Sequence, residues 1–130
     1  MRTTMLGALT AGSLLLFATG TYAADLKGEI VNAETHAGLA AKAADLDGVH
    51  MHLHHTLNCL VGPGGTGFDA KQMNPCANSG NGAIPDTADA AKRKSLEAAA
   101  AKATSGIAQA NLASAQKDAT EAAAMLKADE

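Results

Sequence analysis

Residues 39–60 read LAAKAADLDGVHMHLHHTLNCL, and the interpretation of this stretch sets the fold. Leu39, Leu46, Leu53 and Leu60 recur every seven residues. Ala43 and Leu57 stand four residues after members of that series, and His36 and His50 share their position. Such an a/d stripe is the pattern of a helix that packs along another helix. Taken as unbroken, it predicts one long helix over about 25–60. Gly28, Gly38 and Gly48 each cost that helix about 1 kcal/mol relative to Ala, so tertiary contacts have to hold it.

Downstream, about 61–85 contains all three prolines, Pro63, Pro75 and Pro85, together with Gly62, Gly64, Asn74, Asn78, Gly80, Asn81 and Gly82. Every breaker signal marks it as loop. From Asp86 to Lys127 there is no proline and one glycine, Gly106. Asp86 follows Pro85, and Asp89 comes three residues later, which resembles a capping arrangement and suits the positive end of a helix dipole. Ile84, Ala91, Ala98, Leu112, Ala119 and Leu126 share a seven-residue spacing, and Leu96, Ala100, Ala103 and Ile107 form a second stripe. A second helix is therefore expected over about 86–127, with apolar faces for more than one neighbour.

The resulting expectation is an all-α protein, a long antiparallel helical hairpin with a disulfide-stapled loop. One helix pair leaves half of each stripe wet, and Ala buries little area at about 25 cal/mol per Å². Either an extra break makes three or four shorter helices, or two hairpins dimerise into a four-helix bundle. The stripes favour the homodimer.

Upstream, Arg2 is followed by an uncharged run from Met5 to Ala18, and Thr21 and Ala23 occupy the small-residue positions ahead of a cleavage site. These features predict a signal peptide over 1–23 and a single helical domain over 24–130. The apolar run is short for a membrane span, so none is expected after cleavage. The protein is then exported, to a periplasm or the extracellular space. In an oxidising compartment Cys59 and Cys76 are expected to pair. Closing the glycine-rich loop between them is worth roughly 3 kcal/mol on the chain-entropy account.

Composition narrows the function. The 130 residues carry a formal charge of −3, against a nucleic-acid partner. Aromatics are limited to Phe17, Phe68 and Tyr22, which argues against a shaped, aromatic-lined catalytic pocket, so an enzyme is not expected. All five histidines fall in the first helical segment: His36, His50, His52, His54 and His55. On an unbroken helix His50 and His54 are one turn apart, with Asp47 on the same side, making two imidazoles and a carboxylate for one divalent ion. His55 and Met51 give a second, softer face, and His52 meets His55 three residues on. His36 lies about 21 Å back along such a helix, too far to join the same ion. If Leu60 pairs near Asp86, His50 and His54 face Lys92 to Leu96, whose cations repel a metal. Completion by Asp69, Met73 or Asn74 from the loop, or across a dimer, avoids that conflict.

Imidazole donors suit Cu, Ni and Zn, and a methionine thioether favours Cu. The expected function is a small exported helical protein that binds a transition metal ion through its histidine cluster for sequestration, buffering or sensing. The alternative is a structural or interaction protein of the cell envelope with pH-responsive histidines and no metal.

Overall fold

A computed structural model describes residues 23–130. The signal-peptide segment expected over 1–23 lies, but for Ala23, outside the described residues. All regular structure among the described residues is helical: α1 Leu26–Lys42, α2 Leu46–Val61, α3 Ala83–Asp86, α4 Ala90–Ala108 and α5 Leu112–Asp129.

The two long helices expected from the stripes are each broken once. The first break falls at residues 43–45, where Ala43 and Asp45 take extended backbone. The Asp45 carboxylate accepts from Gly48 N at 2.8 Å and starts a new helix. The second falls at residues 109–111, where the Asn111 side chain accepts from Ser114 N at 3.1 Å. In both places a short polar side chain satisfies N–H groups that a continuing helix would have bonded to its own carbonyls, and so competes with continuation. Asp25 and Asp89 cap α1 and α4 in the same way, so the second helical region begins at Ala90 rather than Asp86.

Each break folds the chain back on itself. α1 packs on α2 and α5, and α4 packs on α5 and α2, so every long helix has at least two long neighbours. This is the extra-break alternative, realised within one chain. Leu53, Leu60, Leu96 and Leu126 are fully buried without a second copy, and the burial argument for a dimer loses its premise. Leu39, first in the seven-residue series, sits on α1 and is 44% exposed. The series was collinear only on a helix that does not exist.

The interior has two parts. Near the loop, Ile30, Leu57, Leu60, Leu96, Ala99, Ala122 and Leu126 pack around the Cys59–Cys76 disulfide. Near the two breaks, Ala40, Val49, Leu53, Ala103, Ala115 and Ala119 form a smaller cluster. Alanine lets the helices approach closely, and at one point even a methyl is excluded. A Cβ on Gly106 would stand 2.5 Å from Leu53 Cδ1.

The loop is organised by one buried amide. Asn58 Nδ2 donates to the carbonyls of Asp69 at 3.0 Å and Met73 at 3.1 Å, and its Oδ1 accepts from Asp69 N at 2.9 Å. Together with the disulfide one residue on, it fixes residues 69–76 against α2. Gly62 closes the end of α2 at φ +65°, where a Cβ would meet the Asn81 carbonyl.

Candidate metal centre

Folding α1 back on α2 puts His36 beside the second helix. Its Nδ1 lies 3.2 Å from His52 Nδ1. The His36 and His52 ring centroids are 5.4 Å apart, and His55 stands edge-on to both, at 5.0 Å and 5.7 Å. One nitrogen from each of the three rings lies within 4.8 Å of the others, so the triad could hold a metal ion. The expectation that His36 is too far to join is therefore corrected. It held for a straight helix, and the break at residues 43–45 removes the straight helix. The His52–His55 approach is the one the three-residue spacing predicts.

Two ligands of a tetrahedral ion at bond lengths near 2.0–2.1 Å stand about 3.3 Å apart. The His36–His52 separation already matches that edge, and His55 has only to close in. His55 is buried and the other two rings are half-buried. Burial pushes His36 down to about 4, with His55 and His52 disfavouring a further positive charge. Burial likewise pushes His55 down, with His52 and His54 adding to it. Rings that stay neutral near pH 7 keep lone pairs available, the form a metal requires. In the metal-free pair one ring donates its Nδ1–H to the other's Nδ1. A metal on that edge needs a change of tautomer and no net loss of protons.

The other predicted ligands stand on neighbouring faces of α2. Asp47, His50, Met51 and His54 line a shallow depression of about 550 Å³ with Gly48 and Gln72. His50 Nε2 donates to the Gln109 carbonyl at 3.0 Å, which occupies one of its two nitrogens. That contact also corrects the expected register. His50 lies at the α4–α5 connection, and Lys92 is drawn instead to the Asp129 carbonyl at 2.8 Å. His54 Nδ1 lies 3.7 Å from Asp69 Oδ2, the loop carboxylate invoked from sequence. Met51 is 41% exposed and Met73 57%, so neither thioether is enclosed.

The disulfide is consistent with an oxidising compartment. No helix among the described residues is long and apolar enough to cross a membrane. No protein-family model matches this chain, and neither a curated protein nor a solved structure matches it.

Proposed function

We propose that this is an exported binding protein, not an enzyme, whose His36–His52–His55 triad takes up Cu²⁺, Ni²⁺ or Zn²⁺ for sequestration, buffering or sensing. The observation that carries the proposal is the convergence of three imidazole nitrogens within 4.8 Å across two helices. Neutral nitrogen donors rank these ions with Cu²⁺ foremost. A three-imidazole set leaves a fourth position for water or for a donor from a delivery partner, which suits an ion that has to be passed on. The leader-like residues 1–23 and the disulfide support export.

Calorimetric titration of chelator-treated protein with each ion tests the proposal. His36→Ala should weaken binding by about tenfold or more, since it removes one of three ligands while leaving every α2 histidine in place. His50→Ala with His54→Ala should change it little. The reverse pattern would move the site to the depression lined by Asp47, His50 and His54. A second reading, a metal-free histidine cluster that senses pH, is favoured by the hydrogen bond His36 and His52 already share. Wild-type protein that takes up none of the three ions would select that reading.

A further inference from the structure

At the other end of α1 there is a carboxyl group with no charge partner. Glu29 is fully buried. Its Oε1 accepts from Gly82 N at 2.9 Å, and its Oε2 has no hydrogen-bond partner. A second carboxylate, Asp86 on α3, converges on the same point. A Cβ on Gly80 would stand 2.2 Å from Asp86 Oδ2 and 2.7 Å from Glu29 Oε1. Burial pushes the Glu29 carboxyl up to about 7 against the Gly82 hydrogen bond, with Asp86 and then Asp25 adding to the rise. Among the described residues, no Lys, Arg or His forms an ion pair with Glu29 or Asp86. Arg93, on the adjoining α4, is turned to the carbonyls of Ile84 and Thr87. A buried acid left this way is costly, and a structure that keeps one invites a cation.

The chain supplies a candidate. Ala24 Cβ lies 3.0 Å from that same hypothetical Gly80 Cβ, and Ala24 lines a depression with Ala77, Asn78, Gly80 and Asn81. The next residue is fixed there, because Asp25 N donates to the Ser79 carbonyl at 2.6 Å. Ala24 is also the first residue that cleavage after Ala23 would leave. We propose that processing creates the missing cation: the α-ammonium of Ala24 pairs with Glu29 and Asp86, locking the mature N-terminus into the loop. This rests on the export reading above. Hydrolysis of the Ala23–Ala24 bond adds the water's hydroxyl to the Ala23 carbonyl and its proton to the Ala24 amine, which is protonated at neutral pH. Before cleavage that nitrogen is an uncharged amide, so the pair exists only in processed protein.

The chain from Ala24 onward contains the five described helices, both core clusters and the disulfide, and is the form that cleavage after Ala23 would leave. Three forms are compared by thermal unfolding at pH 7: a chain beginning at Ala24, the same chain Nα-acetylated, and one with Gly-Ser added ahead of Ala24. The free-amine form should melt higher than both others by roughly 5 °C. Glu29→Gln should abolish that difference. NMR titration should place the Ala24 amine above its ordinary range of about 7.7–8.0. Equal melting of the three forms, or a difference that survives Glu29→Gln, overturns the proposal. So does Ca²⁺ that raises the acetylated form to the free-amine level through Glu29, because the site would then belong to a metal ion. N-terminal sequencing of exported protein tests the export reading separately. A first residue other than Ala24 would overturn pairing in the cell, whatever the purified forms show.

Discussion

The α1–α2 and α4–α5 pairs are built alike and treat their polar groups in opposite ways. Each is a helical hairpin with a three-residue connection, and each second helix starts from an Asp or Asn cap. In α4–α5 the buried acid is satisfied. Asp118 Oδ2 accepts from Ser105 Oγ at 2.7 Å and Gln109 Nε2 at 3.0 Å, and Lys102 stands 3.7 Å from Oδ1. Those hydrogen bonds, with Lys102 assisting, hold Asp118 below the usual carboxylate range. In α1–α2, where Asn58 and Thr56 are hydrogen-bonded, two other clusters face their own kind. Three imidazoles meet one another, and Glu29 meets Asp86 and Asp25. A satisfied network stabilises a fold and offers a ligand nothing. A cluster that leaves a buried acceptor such as Glu29 Oε2 without a donor costs stability and is ready to bind.

The largest expected effect comes from opening the staple, which ties the loop to α2. Cys59→Ser or Cys76→Ser should lower stability by about 3 kcal/mol. Limited proteolysis should then cut residues 62–85 well before α4–α5 is touched. Uniform cleavage along the chain would mean that the two pairs are not separate in stability.

A smaller effect should appear with pH in metal-free protein. His36 takes up a proton near 6.5 when unfolded and near 4 when folded. Its neutral form therefore contributes stability in full above about pH 6.5, and this is lost as pH falls toward 4, in all of order 2 kcal/mol for a half-buried ring. Glu29, pushed up to about 7, acts in the opposite sense, losing stability as pH rises from 4.5. Urea midpoints of wild type against His36→Gln across this range cancel the Glu29 part. The curves should separate as pH rises from 4 to 6.5 and run parallel above it, and curves parallel over the whole range would show that the ring is not held neutral.

The smallest effect is expected in α4–α5. Asp118→Ala should cost about 1 kcal/mol, because Ser105 and Gln109 lose an acceptor at a partly wet site. It should leave metal titrations unchanged. A loss of metal affinity in this variant would show that the two pairs are coupled through α1–α5 or α2–α4 packing.

Part of this contrast was legible in the residues. The breaker-rich loop, the cysteine pair and the histidine cluster are local features, and each was read from types and spacing alone. The breaks were not, although their signal was present. Asp45 three residues before Gly48, and Asn111 three before Ser114, are cap spacings embedded in apolar series strong enough to hide them. A seven-residue spacing persists across a short break, because periodicity records sequence distance and not direction in space. Missing the first break placed His36 four turns away from residues it touches.

The sequence by itself determined that the chain is helical, where the loop lies and which cysteines can meet, since propensity, breakers and spacing act over a few residues. Only the tertiary structure decided which histidines form a set and which acid is left unpaired. His36 and His52 are 16 residues apart, and Glu29 and Gly82 are 53 apart. Contacts at that range are set by where the chain turns back and by the helix register that best packs an alanine-rich interior. Those quantities belong to the packed whole.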